Sequence, residues 1–263
     1  MSAQTRAEDL RNRLNSGESV LMPGVWDPLS ALIVQQSGFS TAFVSGFAVS
    51  GTLLGRPDVG YLTQTEMAEV AQRVCSSVPT LNVIVDADTG YGDPMTVRRT
   101  VELWEQAGAA GLFLEDQVWP KKCGHMDGKQ VVPREDWLAK LRAACDHREY
   151  LYVTARTDAR AAVSLDEAIE RAKMARDCGV DALFVEAPQS VQEMEVIAKA
   201  LPDITLVANM VEKGKTPLLT PSELAEFGFR LIVSPLSLLL SAVQAMSTAA
   251  QRLADVGSLR TYL

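Results

Sequence analysis

Short apolar runs alternate along this chain with longer amphipathic stretches, and polar turns separate them at regular intervals. Four turns share one pattern, in which a helical stretch ends at a glycine and an apolar run begins a few residues later. The glycines are Gly38, Gly108, Gly179 and Gly228. A glycine that ends a helix adopts the left-handed conformation that lets the chain turn back into a strand. The pattern therefore predicts four helix-to-strand connections.

Further runs rich in β-branched and aliphatic residues complete the set of predicted strands. Six strands span residues 19–22, 41–44, 81–85, 111–114, 151–154 and 205–208, and two more follow Gly179 and Gly228. The amphipathic stretches between them include residues 64–75, 95–107, 135–145, 166–178 and 192–200. Eight strands alternating with eight helices predict an α/β fold, a single (β/α)8 TIM barrel over residues 1–263. We expect an N-terminal helix and a short C-terminal helical tail; a doubly wound open sheet is the alternative.

The composition excludes several classes of partner. The chain carries 25 Lys and Arg residues against 33 Asp and Glu residues, a net charge of −8, which repels nucleic acid and anionic membrane surfaces. No apolar run approaches the ~20 residues that cross a bilayer, and residues 1–16 lack the apolar core of a signal peptide. We therefore expect a soluble cytoplasmic protein with no nucleic-acid or membrane partner.

The four cysteines are too scattered for a metal-binding motif or a disulfide framework, so we expect reduced thiols. Three of them fall on the apolar faces of predicted helices and are expected in the core, namely Cys75, Cys145 and Cys178. The fourth, Cys123, does not.

Polar residues follow nearly every predicted strand. A TIM barrel carries its active site at the carboxyl ends of its strands. The residues at those ends are Trp26-Asp27, Ser45-Gly46, Asp86-Ala87-Asp88, Glu115-Asp116, Arg156-Thr157-Asp158, Glu186, Asn209 and Ser234-Pro235. Some strand-end polar residues only cap the next helix, but so many charges at one rim predict a functional site.

Three of these acids suit a metal ion. Asp86 and Asp88 are two residues apart at a strand end, so both carboxylates face one side, and Glu115 ends the next strand. Mg²⁺ prefers such oxygen ligands and completes its shell with waters and a substrate oxygen. The alternative is that the acids cap helices or pair with Arg98 and Arg99.

Arg156 would project a guanidinium into the same rim. A guanidinium binds a carboxylate through two parallel hydrogen bonds, so this residue predicts a small anionic substrate. The alternative is a structural ion pair with Glu186 or Asp158.

Residues 118–132 form a long connection for a compact barrel, and loops of this kind often close over active sites. We predict an active-site gating loop. It concentrates reactive side chains at Lys121, Lys122, Cys123, His125 and Lys129. Neighbouring cations stabilise a thiolate, which makes Cys123 a candidate for proton transfer; a partly exposed thiol among solvated charges is the alternative.

Together these segments resemble the isocitrate lyase/phosphoenolpyruvate mutase superfamily over most of the chain. The segments that match its motifs are residues 45–47, 54–60, 86–92, 115–117, 121–125, 155–159 and 209–212. Within the superfamily, residues 43–47 and 119–126 are most similar to the 2-alkylmalate lyases, and 2-methylisocitrate lyases are similar but less close.

The resemblance implies a set of roles. Asp86, Asp88 and Glu115 would surround Mg²⁺, with Mn²⁺ able to replace it, and Asp58 would lie in the outer shell. The implied catalytic residues are Lys121, Cys123, His125, Arg156 and Glu186, and the implied substrate-binding residues are Ser45, Gly46, Phe47, Gly124, Asn209 and Pro235. The partners implied are a small 2-hydroxy or 2-oxo carboxylate substrate and further copies of the chain in a dimer or tetramer.

The implied reaction is cleavage of a carbon–carbon bond. A 2-hydroxy di- or tricarboxylate would be cleaved to a 2-keto acid and a carboxylate enolate, which Cys123 would protonate. The residue that removes the hydroxyl proton is unassigned, because methylisocitrate lyases carry a tyrosine where this chain has Phe43. Phosphonate-forming mutases carry asparagine at the position of Cys123, which disfavours that reaction. Oxaloacetate hydrolysis or decarboxylation is the alternative, although the hydrolases place a hydroxyl where this chain has Pro235.

Overall fold

The computed structural model of the protein describes residues 1–124 and 126–260. Its eight strands are all parallel and form a closed barrel in chain order. They are β1 (Val20–Val25), β2 (Thr41–Val44), β3 (Asn82–Asp86), β4 (Gly111–Glu115), β5 (Tyr152–Thr157), β6 (Ala182–Val185), β7 (Thr205–Asn209) and β8 (Phe229–Ser234). The TIM barrel is confirmed, and the doubly wound open sheet is excluded because β1 pairs with β8.

Helices follow or precede the strands around the outside of the barrel. They are α1 (Ala3–Asn15), α2 (Pro28–Gln36), α3 (Gly46–Val49), α4 (Gln64–Ser77), α5 (Pro94–Ala107), α6 (Arg134–His147), α7 (Ala159–Ala162), α8 (Leu165–Arg176), α9 (Val191–Ala200), α10 (Pro221–Glu226) and α11 (Ser237–Val256), with a π-helical turn at Ser50–Leu54.

The sequence specifies most of these boundaries locally. A capping box between Thr63 and Glu66 begins α4, and Asp93 caps α5 just before Pro94. Each of the four predicted turn glycines has a positive φ, between 84° and 96°, which confirms the predicted connections because L-residues with side chains rarely adopt that conformation.

Two short helices of the fold were not predicted. The sequence predicts eight barrel helices, an N-terminal helix and a C-terminal helical tail, and the described residues form eleven α-helices. The unpredicted helices, α3 and α7, have only four residues each, so neither is long enough to show a helical period in the sequence.

Two apolar layers hold the fold together. The outer layer packs the helices on the sheet and includes the fully buried Trp104 and Trp137. The inner layer fills the barrel, where Phe113 contacts Phe43 and Phe184 at ring-centroid distances of 4.8 and 5.6 Å. Inward-pointing side chains of this kind make the barrel a packed core and not a pore.

The predicted N-terminal helix closes one end of the barrel. From α1, Leu10 and Leu14 enter the inner layer. Arg6 donates to the carbonyls of Pro79 and Gly108, and Arg11 donates to the carbonyl of Leu151, just before β3, β4 and β5. Because α1 packs against the amino ends of β3, β4 and β5, we expect a ligand at the carboxyl ends of the strands.

The predicted C-terminal tail is the twenty-residue helix α11. Of its residues, all of which the structure describes, only Leu239 is buried. Leu240, Val243, Met246 and Leu253 are exposed by 44–61%, which leaves an apolar stripe along the helix.

Two further sequence predictions concern the thiols and the membrane. Cys75 is buried as predicted, whereas Cys145 and Cys178 are only partly buried against the core, and these three cysteines form no disulfide within the described residues. Among the described residues, no helix combines the length and the apolar character required to cross a bilayer.

Candidate active site

A cavity opens at the carboxyl end of the barrel, where the sequence predicts the functional rim. It has a volume of about 50 Å³, enough for a few water molecules, since about 10–15 Å³ on this measure holds one. Its lining includes ten of the predicted site residues, namely Ser45, Phe47, Asp58, Asp86, Cys123, Gly124, Arg156, Glu186, Asn209 and Pro235. A small acid therefore fits this space better than a polymer.

A buried lysine organises the acidic side of the site. The Nζ atom of Lys121 lies 2.7 Å from Asp58 Oδ1 and 2.7 Å from Asp88 Oδ1. Burial alone would lower the pKa of Lys121, but Asp88, Asp58 and Glu115 raise that pKa well above its ordinary value. Lys121 of the loop therefore stays positively charged and compensates part of the negative charge of Asp58 and Asp88.

Asp86 occupies the centre of this side. The backbone N–H of Gly46 donates to Asp86 Oδ2 at 3.3 Å, and that of Asp88 donates to Asp86 Oδ1 at 3.1 Å. A Cβ on Gly46 would lie 2.9 Å from Asp86 Oδ2, so glycine is required for the β2–α3 turn to approach the carboxylate this closely.

Two further acids carry charge that the protein compensates incompletely. Burial raises the pKa of Asp88 to about 7, although Lys121 opposes this shift. Burial likewise raises the pKa of Glu115 well above its ordinary value, although Arg156 opposes it. Glu115 Oε1 is buried and accepts no hydrogen bond from the described residues. An additional cation near these carboxylates would offset the free-energy cost of burying the charged forms of Asp88 and Glu115.

These residues fit Mg²⁺ in a particular way. Within the described part of the chain, no three His, Cys, Asp or Glu side chains converge closely enough to enclose a metal ion. Mg²⁺ does not need such a cage, because it retains several waters and binds through one or two carboxylates plus substrate oxygens. Asp86 lines the cavity, and Glu115, whose Oε1 accepts no hydrogen bond from the described residues, contacts the cavity-lining Arg156. Arg98 and Arg99, the alternative partners, are exposed on α5.

Arg156, which pairs with Glu115 across β4 and β5, also lines the cavity and contacts three carboxylates. Its Nε lies 3.0 Å from Asp158, its Nη1 3.3 Å from Glu115 and its Nη2 3.2 Å from Glu186. Burial would lower the pKa of Arg156, but these acids raise it well above its ordinary value. The sequence left open whether Arg156 binds a substrate anion or forms a structural ion pair with Glu186 or Asp158. Both ion pairs are present, and the guanidinium also lines the cavity, where an anion could reach it.

The predicted gating loop lies over the mouth of the barrel. The N–H of Cys123 donates to the carbonyl of Asp58 at 3.1 Å, and the Gln117 side chain bonds to both backbone groups of Lys122. A Cβ on Gly124 would lie 2.6 Å from Arg156 Nη2 and 2.6 Å from Glu186. The loop backbone is therefore seated directly on the ion pair. His125, also predicted in the site, lies outside the described residues.

The remaining predicted residues surround the cavity. Ser45 caps α3 by accepting from the N–H of Ala48 at 3.3 Å. The amide of Asn209 donates to Glu186, whose side chain is fully buried, at 3.2 and 3.3 Å. The structure thus brings the strand-end residues of β2, β5, β6 and β7 together around one space.

Several residues of the site were not predicted. Phe43, Phe113 and Phe184 form an apolar floor with Val211, Val233 and Leu236. The inward alternation along β2, β4 and β6 is the signal that could have identified the aromatic floor. The buried ion pair of 2.7 Å between Lys129 of the loop and Asp158 of the rim was not predicted either, because nothing in a basic loop indicates which of its lysines will be buried.

Comparison with known proteins identifies the family. Residues 10–254 match the family model described as phosphoenolpyruvate phosphomutase. The chain is 49% identical to a chloroplastic carboxyvinyl-carboxyphosphonate phosphorylmutase of Arabidopsis thaliana, and the aligned residues cover 93% of this chain and 73% of that protein. It is 47% identical to the petal death protein of Dianthus caryophyllus (93% and 77% covered) and 41% identical to 2,3-dimethylmalate lyase of Eubacterium barkeri (91% and 83% covered).

Solved structures agree with this assignment. Oxaloacetate acetylhydrolase bound to 3,3-difluorooxalacetate superposes with a TM-score of 0.96 at 35% identity, over 99% of this chain and 90% of that one. For 2,3-dimethylmalate lyase, described as a PEP mutase/isocitrate lyase superfamily member, the TM-score is 0.95 at 34% identity, over 99% and 87%. Phosphonopyruvate hydrolase with oxalate and Mg²⁺ gives 0.87 at 26% identity, over 100% and 90%. The chain therefore belongs to the phosphoenolpyruvate phosphomutase family, within the phosphoenolpyruvate mutase/isocitrate lyase superfamily, and is an enzyme of that superfamily.

Proposed function

We propose that the protein is a Mg²⁺-dependent carbon–carbon lyase that cleaves a 2-alkylmalate or a 2-methylisocitrate-like acid. The observation that carries the proposal is the shared cavity of Asp86, Cys123 and Arg156. One small substrate can reach a metal-binding carboxylate, a thiol and a guanidinium at once. The relatives named as lyases and the small size of the cavity support the same reaction class.

Substrate binding would use the two charged sides of the cavity. Arg156 would receive the carboxylate of the 2-keto-acid half, since its guanidinium faces the cavity and is fixed by acids behind it. Asn209, the backbone of Gly124 and His125 would receive the carboxylate of the departing half. Asp86, Asp88 and Glu115 would hold Mg²⁺, with Asp58 behind them, and the bound ion would act as a Lewis acid toward the 2-hydroxy acid.

Bond cleavage requires a proton donor at the carbon that leaves. When the bond between C2 and C3 breaks, C2 becomes the carbonyl of the 2-keto acid and the electron pair passes to C3, giving a carboxylate enolate. Cys123 would transfer its Sγ proton to C3. The closed loop would exclude water from this step. We assign no base for the hydroxyl proton, because Phe43, which lines the cavity, has no proton-accepting group.

Oxaloacetate hydrolysis is the second candidate function. The similarity to oxaloacetate acetylhydrolase favours it. Against it, the cavity wall at β8 is Pro235, which offers no hydroxyl, while the neighbouring Ser234 hydroxyl pairs with Ser237 at 2.5 Å. A phosphonate-forming reaction is less favoured, because an asparagine in place of Cys123 would be expected for it.

Product identification distinguishes these candidates. The purified protein is incubated with 2-alkylmalates, 2-methylisocitrate, oxaloacetate and phosphoenolpyruvate, with Mg²⁺ or with EDTA, and products are identified by mass spectrometry. A Mg²⁺-dependent 2-keto acid from a 2-hydroxy acid is expected. Oxalate plus acetate, or pyruvate, from oxaloacetate alone would replace this proposal with the second candidate.

The proposed role of Cys123 as the proton donor is tested by Cys123→Ser. Cys178→Ser is the matched control, because Cys178 follows the carboxyl end of α8 and does not line the cavity. Loss of one positioned proton donor typically costs about 10²–10⁴-fold in rate, so kcat should fall by that amount only in the first variant. Wild-type turnover by Cys123→Ser would remove the thiol from the mechanism.

We also propose that the chain forms a dimer or tetramer in the cytoplasm. The apolar stripe of α11 supports self-association, because exposed apolar surface of this extent marks interaction sites. Light scattering coupled to size-exclusion chromatography tests it, and a monomer at micromolar concentration would contradict it. Fractionation of the source cells tests the location, since the Arabidopsis relative is described as chloroplastic.

A further inference from the structure

The buried ammonium of Lys129 has no role in the proposed chemistry. Its side chain is 1% exposed, and its Nζ lies 2.7 Å from Asp158 Oδ1, whose side chain is fully buried. The same Nζ donates to the carbonyl of Gly124. A lysine is rarely buried unless it is paired, so the burial of Lys129 indicates that its ion pair has a specific structural role in the gating loop.

Asp158 is a fixed point on the barrel. Its backbone N–H donates to Asp116 Oδ1 at 2.8 Å, and Asp116 is itself held by Thr157 and Arg171. Burial would raise the pKa of Asp158, but Arg156 and Lys129 hold it below its ordinary value. The carboxylate therefore stays charged and offers a permanent anchor for the loop.

The anchor acts on the residue next to the proposed acid. Lys129 ties the carbonyl of Gly124 to Asp158, and Gly124 is the residue whose Cα rests against Arg156 and Glu186. Cys123 precedes Gly124, and its own N–H is held by the carbonyl of Asp58. The two-residue segment Cys123–Gly124 is thus held at both ends, by Asp58 at the Cys123 N–H and by Lys129 at the Gly124 carbonyl.

The two cations that meet Asp158 also share one oxygen. Asp158 Oδ1 accepts from Lys129 at 2.7 Å and from Arg156 Nη2 at 3.2 Å. Opening of the loop would remove one of the two positive charges from a fully buried carboxylate. This is costly, because breaking one partner of a buried ion pair leaves the other charge uncompensated.

We propose that Lys129 is a positioning residue that holds the Cys123–Gly124 segment in the closed geometry by anchoring the Gly124 carbonyl to Asp158. The effect on turnover rests on the proposed lyase function, but the effect on the loop does not. Lys129 touches no substrate in this scheme and acts only through Gly124.

The first test measures access to Cys123 in the resting enzyme, without substrate. Iodoacetamide labelling is quantified for each cysteine peptide by mass spectrometry in the wild type, Lys129→Met and Lys129→Arg. Labelling of Cys123 should rise at least about tenfold in Lys129→Met, since a buried pair is broken, and stay within about threefold of the wild type in Lys129→Arg, which keeps the charge. Cys75 is the internal reference, because it is buried and labels only when the barrel unfolds.

Lys122→Met is the matched control. Lys122 lies in the same loop, is more exposed, and bonds to the carbonyl of Gly128 at 3.0 Å without contacting Asp158. Its Cys123 labelling should remain within about twofold of the wild type, as is usual for surface changes. Labelling of Cys75 in parallel with Cys123 would mean that Lys129 supports only global stability, and would overturn the proposal. Equal labelling of Cys123 in Lys129→Met and the wild type would also overturn it.

The second test separates kcat from KM on the 2-hydroxy acid that the wild type cleaves. In Lys129→Met, kcat should fall about 10²-fold, as expected for a displacement near 1 Å, while KM changes by less than about threefold because Arg156 is retained. Raised labelling with an unchanged kcat would overturn the positioning role. If the wild type cleaves no 2-hydroxy acid, the lyase proposal fails, and the labelling comparison still decides whether Lys129 holds the loop.

Discussion

Replacement of Gly124 by alanine should reduce activity sharply while leaving the barrel intact. The added Cβ would lie 2.6 Å from Arg156 Nη2 and 2.6 Å from Glu186 Oε2, whereas ordinary contacts begin near 3.4 Å. Neither partner can move away, because Arg156 is fixed by three carboxylates and the Glu186 side chain is fully buried. The loop must therefore retreat by about 0.8 Å, which is the difference between those distances.

A retreat of this size carries Cys123 away from the substrate. A misplacement near 1 Å can reduce turnover about 10²-fold, which corresponds to about 2.7 kcal/mol of transition-state stabilisation. We expect kcat/KM of Gly124→Ala to fall by that factor. The free energy of unfolding should fall by about 1–3 kcal/mol, the usual cost of overpacking, because the loop shifts against its buried anchors while the core of the barrel is undisturbed.

Steady-state kinetics on the identified substrate and urea unfolding monitored by circular dichroism measure the two quantities. Gly51→Ala is the matched control, because a Cβ at Gly51 meets no atom within 4 Å. Its kcat/KM should equal that of the wild type. Wild-type kinetics in Gly124→Ala, or an equal loss in both variants, would refute the steric reasoning.

Three further predictions concern the metal, the barrel and an ion pair. Asp86→Asn should weaken Mg²⁺ binding at least about tenfold by calorimetry, as for other lost metal contacts, and the exposed Asp203→Asn should not. Leu10→Ala should lower the free energy of unfolding by about 3 kcal/mol in urea, because Leu10 is fully buried at the closed end of the barrel, and KM should stay unchanged. Hydrogen bonds from Arg134 and Arg171 lower the pKa of Glu167 to about 2. The contribution of its carboxylate to the free energy of unfolding is therefore fully present above the ordinary pKa of 4.5 and is lost as the pH falls toward 2. Glu167→Gln should lower the free energy of unfolding by about 2 kcal/mol at pH 7 and by much less at pH 3, and an equal loss at both pH values would contradict this.

The fold was predictable because its signals are local and repeated. Turn glycines mark four of the helix-to-strand connections, short apolar runs mark the strands, and parallel strands in regular alternation leave few topologies. The rim residues were predictable for the same reason, since a residue after an apolar strand in a barrel faces the active end. Asp86, Arg156 and Asn209 lie around one cavity as this rule requires.

The pairings across the site were not predictable. Lys121 and Lys129 come from one basic loop, yet one contacts Asp58 and Asp88 and the other contacts Asp158. Which lysine is buried depends on how the loop closes, a long-range property that neither periodicity nor spacing records. The sequence also could not show that the carboxylates do not converge into a complete metal-binding shell. Waters and substrate oxygens would supply the remaining ligands of Mg²⁺, and the sequence does not record them.

The barrel alone does not determine the reaction. Proteins named as mutases, lyases and hydrolases share this fold and, with this chain, a quarter to a half of their residues. Function must therefore be read from the site. In the proposed site, the acids at the ends of β3 and β4 would hold a cation and the guanidinium of Arg156 would hold an oxyanion, whichever of these reactions takes place. The loop presents the group that differs: a thiol at Cys123 can deliver a proton to carbon, and an amide cannot. In the proposed mechanism the loop would thus decide the fate of the intermediate, and the ion pairs of Lys121 with Asp58 and Asp88 and of Lys129 with Asp158 would keep it closed.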